Sequence, residues 1–337
     1  MDMKRRNTAD LLAAIAGSSL ADRVAAQPAS NPTLLRVGPT RSITSIADAA
    51  LRVRDGDTVE VDAGTYSIDA AVAVWQRDRL TLRAVNGRVR LLADGASAER
   101  KAIWVIRGGQ VSVEGFDFEG TRVATRNGAG IRFETGQLTV RDCRFVNNEM
   151  GLLTSNDPNA ELVVEFSEFA HNLRPDGHNH QLYAGSIGRL AVTSSYFHHG
   201  TIGHLLKSRA AVNHIHYNRL TDDASGRSSY ELEFPNGGVA VVVGNLIQQG
   251  AKTENSIMIS YGAEGYRWPV NVLALANNKL VDDLPEGGRF LRVWAGDVTV
   301  VETGNRLVRH GREVDTPGLL RREADERATH SPPGARP

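Results

Sequence analysis

The sequence predicts an all-β chain: a single-stranded right-handed parallel β-helix, a solenoid of about ten coils with an N-terminal capping helix. Three observations lead there. A short phrase recurs around an apolar anchor at Leu91, Phe118, Phe145, Phe169, Phe197, Leu220, Ile247, Leu280 and Leu307, and most of these anchors stand nearly one constant interval apart. Each repeat holds short alternating β-branched runs, such as "LTVRDCRF", "LAVTSSYF" and "VAVVVGNLI", between Gly, Asn or Asp turns. No repeat shows the period of a helical array, and the interval is too short for a propeller blade, which needs roughly 40 residues or more. One such unit cannot bury its own apolar face, so it must stack on its neighbours. Right-handedness follows from the crossover rule for parallel strands.

Taken from the N-terminus, residues 1–26 read as an export signal. "MDMKRR" is basic, "LLAAIAGSSLA" is apolar, and "VAA" precedes Gln27 as a small-residue cleavage site. Arg5-Arg6 suits twin-arginine export, while Asp10 and Asp22 oppose it. This points to a periplasmic or secreted protein, and the apolar run is too short to span a bilayer. The solenoid is expected over 27–310. Within it, ahead of the coils, an amphipathic helix from about Ser45 to Arg54 covers the open end, paired with a first strand in "GDTVEVDAGTY". Residues 311–337 lose every apolar period and are expected to form a mobile tail.

Composition removes several classes of function. Formal net charge is zero, with 39 basic and 39 acidic residues, so nothing marks a nucleic-acid or anionic-membrane partner. The single Cys143 excludes an intramolecular disulfide and a multi-cysteine metal cage.

Candidate chemistry concentrates in one stretch. Eight of the ten histidines lie between His171 and His216. Only five lysines stand among the 39 cations, and one, Lys207, sits in "HLLKSRA" beside Arg209. A lysine can lose its proton when its surroundings are tuned, whereas an arginine effectively cannot. Strand alternation puts Tyr183, Lys207 and Glu233 outward, each about half a coil before its anchor, Phe197, Leu220 or Ile247. They should form one ladder across three coils, roughly 4.8 Å per step. Arg209 and Glu231 should lie alongside, Ser260 should continue the face, and His178, His180 and His204 should lead into the strands. A solvated face carrying stacked ion pairs is the plainer reading of the same residues. His171, His198, His199, His214 and His216 fall at strand ends, where capping or packing accounts for them.

"GDTVEVDAGTY" and the repeats resemble the pectate-lyase-like right-handed parallel β-helix superfamily over about residues 35 to 310. "LLKSRAAVNHIHYNRL" with the following coil also resembles chondroitinase B and its alginate-lyase relatives. Those enzymes carry a Lys-Ser pair on one coil and a catalytic arginine on the next. The resemblance implies a polysaccharide lyase in which Lys207 takes the proton α to a uronate carboxyl. This chain departs from it, with Glu233 at the second-coil position.

The leading expectation is β-elimination on an acidic, uronate-containing polysaccharide in a groove on the outer face. Lys207 would be the base, Arg209 the carboxylate clamp, and Tyr183 or His180 the acid. Glu233 would tune Lys207, and His178, His204, Glu231 and Ser260 would bind substrate. One alternative is an inverting glycoside hydrolase using Glu231 and Glu233. The other is a non-catalytic carbohydrate-binding or adhesin solenoid. No metal site is assigned, since His178 and His180 force no third zinc ligand. Ca2+ is admissible, bridging Glu231, Glu233, Asp222 or Asp223 to substrate carboxylates.

Overall fold

The computed structural model describes residues 32–174 and 176–314. The export signal expected over 1–26 and residues 315–337 of the expected tail lie outside the described residues.

The described chain is a parallel β-helix. Strand follows strand through parallel pairings from Leu34–Val37 to Arg306–Arg309, and one α-helix, Ile46–Arg52, precedes the first full coil. That helix starts where Ser45 accepts the Asp48 N–H at 3.1 Å, and Asp48 in its first turn suits the helix dipole. Its buried Ile46 and Ala49 join the main core. No helix among the described residues is long and apolar enough to cross a membrane.

The anchors form one inward ladder, as their spacing predicts. Leu91 pairs with Phe118, Phe118 with Phe145, and so on to Leu280 with Leu307. At its centre Phe118, Phe145, Phe169 and Phe197 stack nearly parallel, with centroids 4.9, 4.6 and 4.6 Å apart. The rise between coils sets this spacing, because equivalent rings are held one β-bridge apart. Two residues before the anchors runs a second internal ladder. Here the Ser195, Asn218, Asn245 and Asn278 N–H groups donate to the Asn218, Asn245, Asn278 and Asn305 side-chain oxygens at 2.8–3.0 Å. These asparagines satisfy turn amides that stacking buries away from water.

A nine-stranded sheet forms one wall of the solenoid. Its strands Asn179–Ala184, Gly203–Ser208, Leu232–Phe234 and Ile257–Tyr261 carry His180, Tyr183, His204, Lys207, Glu233 and Ser260, and His178, Arg209 and Glu231 flank them. At the C-terminal end, Arg312–Glu313 folds back antiparallel on Arg306–Arg309.

Candidate functional site

The predicted outward ladder forms in the predicted register. Tyr183 pairs with Lys207, Lys207 with Glu233, and Glu233 with Ser260. Inward partners Leu182, Leu206, Leu232 and Ile259 are fully buried on the other side of the same strands.

Lys207 does not stand free. Its Nζ lies 2.9 Å from Glu233 Oε2 and 3.2 Å from Glu264 Oε1, and its side chain is 11% exposed. Taking its proton away would break both ion pairs. Burial pushes the Glu233 carboxyl up, and the charge of Lys207 offsets this only in part. The Glu233 carboxylate also approaches His204 Nδ1 at 3.5 Å.

Glu264 has no place in the sequence-based reading, yet it organises the site. It lies on the loop after Ile257–Tyr261 and reaches back two coils, where Arg209 grips both of its oxygens, at 2.8 Å from Nη2 to Oε1. Burial pushes the Glu264 carboxyl up, but the Arg209 hydrogen bonds and the Lys207 charge outweigh it and bring it down to about 2. Arg209 also donates to the Tyr183 hydroxyl at 2.8 Å and to Asn236 Oδ1 at 2.7 Å. Trp268, on the same loop, donates to the Arg209 carbonyl at 3.1 Å and ties the loop down. The visible signal was the gap from Ile247 to Leu280, the longest between any two successive anchors. This coil carries an insertion relative to its neighbours.

Beside the ladder runs an aromatic column. The His180 and His204 rings stack at 4.7 Å, the His204 and Tyr230 rings stand 5.0 Å apart, and Tyr183 lies 5.4 Å from His180. Burial, with Lys207 and other nearby cations, pushes both histidines well below the usual range. Both are therefore neutral at pH 7. His180 Nδ1 accepts the His204 backbone N–H at 3.3 Å, which leaves the ring proton on Nε2. His178 is exposed, its Nδ1 3.3 Å from the Asp176 carbonyl.

Two expectations fail. Glu231 does not share the outer face with Glu233. It is 0% exposed, it accepts a 3.2 Å hydrogen bond from Ser228 Oγ, and burial and the Asp222 charge push its carboxyl well above the usual range. The reason is a break in alternation. Residues 205 and 206 are both core leucines, and their neighbours on the next coil are Glu231 and Leu232. The inward column Gln181, Leu205, Glu231, Met258 is thus an extra one that strict period 2 does not contain. Ser260, though on the outward register, is fully buried, with Trp294 Nε1 at 3.4 Å from its Oγ. Its hydroxyl is covered from solvent. The carboxylates considered for calcium do not gather on the outer face: Asp222 and Glu231 meet at Ser228 inside the core, apart from Glu233 and Asp223. Asp222 is buried and accepts the Ser228 N–H, whereas Asp223 pairs with Arg219 at 3.0 Å and receives the Tyr196 hydroxyl. Among the described residues they do not meet as a group of three ligands.

Two coils before Tyr183 the same outward register holds Arg132. Arg132, Arg100 and Lys101 line a depression of about 480 Å³ with Glu99, Thr125 and Asn127. Lys101 there pairs with Glu99 and Glu134, so this part of the face, like the centre, carries cations matched by carboxylates.

No protein-family model matches the chain, and no curated protein matches it. Among solved structures, pectate lyase Pel9A superposes with a TM-score of 0.45 at 12% identity, over 82% of this chain and 79% of that one. A pectin methylesterase from Aspergillus niger superposes with a TM-score of 0.44 at 11% identity, over 86% and 89%.

Proposed function

We propose that this protein is a polysaccharide lyase that binds an acidic, uronate-containing polysaccharide along the outer face of the nine-stranded sheet and cleaves it by β-elimination. The observation that carries this reading is the convergence of Lys207 and Arg209 on one carboxylate, Glu264, on a loop at that face. A guanidinium fork and an ammonium arranged around a carboxylate make a uronate-binding site. Glu264 occupies it in the absence of substrate and gives way when a sugar carboxylate arrives. Neutralising that carboxylate is what elimination requires, because it lets the α proton leave and the dianion form.

Tyr183 is the proton-transfer group. Its hydroxyl oxygen, to which Arg209 Nε donates, takes the proton α to the uronate carboxyl while its own proton passes to the leaving glycosidic oxygen, so the Cα–H and Cβ–O bonds break, the double bond forms and the tyrosine ends protonated as it began. His180, neutral with its proton on Nε2, serves as a donor to substrate. Lys207, held by two carboxylates, acts as a cation and not as the base that the chondroitinase B likeness implies. Hydrolysis is less well supported. It needs two carboxyl groups facing one glycosidic bond, and here Glu231 is turned into the core while Glu233 is tied to Lys207.

The test is to incubate the purified chain with pectate, alginate and chondroitin, and with a neutral glucan as control. An unsaturated uronide absorbing in the near ultraviolet is expected from an acidic polymer and not from the glucan. Tyr183→Phe should lower turnover by roughly 10²–10⁴-fold. Reducing ends without that absorbance would establish a hydrolase, and binding with neither product would establish a carbohydrate-binding solenoid.

A further inference from the structure

A second cluster lies on a different strand ladder and plays no part in the reading above. His171 and His199 occupy the same position in successive coils, two residues past the anchors Phe169 and Phe197, which are themselves register partners. Both take left-handed backbone, φ 55° and 49°, as does the equivalent Asn147. Histidine and asparagine tolerate that turn far better than β-branched residues do. Their ring centroids therefore stand 4.6 Å apart, the planes tilted by 32°. His198, one residue past Phe197, points outward from its strand and brings a third imidazole to the pair. One nitrogen from each of the three rings lies within 4.8 Å of the other two.

The surroundings resemble a ligand shell more than a capped turn. His198 Nδ1 faces His199 Nδ1 at 2.5 Å. Two ring nitrogens that close share at most one proton, so at least one lone pair points into the cluster. The other nitrogen of His198, Nε2, lies 3.3 Å from Glu168 Oε1, and Arg144 holds that carboxylate at 2.9 Å. A carboxylate on the far nitrogen orients a metal-ligating imidazole and raises its basicity. Ligands at the usual zinc–nitrogen distance of about 2.0–2.1 Å in a tetrahedron stand about 3.3 Å apart. Small side-chain rotations reach that from the distances here. His171 is exposed and the other two are partly so, so an ion can enter and a water can complete the shell.

We propose that His171, His198 and His199 bind one divalent transition metal ion of the kind that favours imidazole, zinc foremost, and that the ion clips two successive coils together. Three imidazoles suit zinc, copper and nickel and not calcium or magnesium, and Asp223 Oδ2 stands 3.9 Å from His199 Nδ1.

The untagged full-length chain, stripped with chelator and dialysed, should take up about one equivalent of zinc by calorimetry, and its melting temperature should rise with added zinc. Cobalt in its place should give the visible absorption of a four-coordinate ion. His198→Ala/His199→Ala should abolish uptake, while His214→Ala/His216→Ala, on a neighbouring strand, should leave it unchanged. Should the first variant fail to fold, Glu168→Gln supplies the same information: an affinity lower by roughly 10–100-fold is expected. No uptake by the parent chain, uptake undiminished in both His198→Ala/His199→Ala and Glu168→Gln, or uptake lost with His214 and His216 would each overturn the proposal.

Discussion

Glu264 holds the guanidinium of Arg209 with both carboxylate oxygens although the two residues lie on different coils, far apart in the chain. The loop that carries Glu264 is thus pinned over the face by the same cations proposed to receive a substrate carboxylate. An internal carboxylate in that place competes with the external one. Glu264→Gln should therefore lower KM for an acidic oligosaccharide, and steady-state kinetics of the variant and the parent decide it.

The same pair makes a pH prediction. The Glu264 carboxyl is depressed to about 2 in the folded chain, against about 4.3 when unfolded. Its contribution to stability is fully present above the unfolded value and is lost as pH falls toward 2. The stability difference between parent and Glu264→Gln should be constant near neutrality and shrink between about pH 4.3 and 2. The side chain is 39% exposed, so salt should weaken the difference as well. Denaturant unfolding across that range measures it, and a difference that does not change with pH would contradict the ion-pair assignment.

Removing Lys207 should destabilise the fold strongly, because Glu233, with its side chain 4% exposed, would lose the cation it pairs with at 2.9 Å, while Arg209 stays engaged with Glu264. Lys207→Met is expected to cost about 3–5 kcal/mol. Lys207→Met/Glu233→Gln should cost clearly less than the sum of the two single changes, since it removes the orphaned charge as well. Additive costs in a double-mutant cycle would mean that the two groups do not interact.

The phenylalanine stack predicts where the solenoid is least tolerant. Phe169 is fully buried between Phe145 and Phe197. Phe169→Ala should cost about 3–5 kcal/mol, and Phe169→Leu, which keeps most of the volume, less than about 1.5 kcal/mol. Thermal or chemical unfolding of the two variants tests the ranking.

The anchors and the Tyr183–Lys207–Glu233 ladder were legible in the sequence because both follow from periods, the coil length and the alternation of a strand. Glu264 and Glu231 were not, each for its own reason. Glu264 sits in a loop, where no period operates, and only the long gap from Ile247 to Leu280 marked its insertion. Glu231 escaped because two adjacent residues turn inward on those strands. The doubled leucine of Leu205-Leu206 was the visible sign of that. The histidines were read one at a time, whereas His171 and His199 are separated by the same stretch of chain as the anchors Phe169 and Phe197, and so must stack.

Glu231 gives the last prediction, which also separates the two ways of reading its carboxyl. In the folded chain burial and the neighbouring Asp222 push it well above the usual range, so it keeps its proton at pH values where the unfolded chain has lost it. Below about pH 4.3 both states are protonated, and Glu231→Gln gains nothing from pH. Above that value unfolding the parent releases a proton. Its stability then falls by about 1.4 kcal/mol per pH unit until the folded carboxyl itself ionises. Glutamine keeps the shape and a hydrogen-bonding oxygen for Ser228 but has no proton to lose. Glu231→Gln should therefore gain on the parent steadily as pH rises above about 4.3, while cleavage of the polysaccharide is unaffected because the side chain faces the core. A stability difference flat with pH would show that Glu231 is ionised in the fold. Loss of cleavage at full stability would return Glu231 to the outer face, and with it the carboxylate pair of a hydrolase.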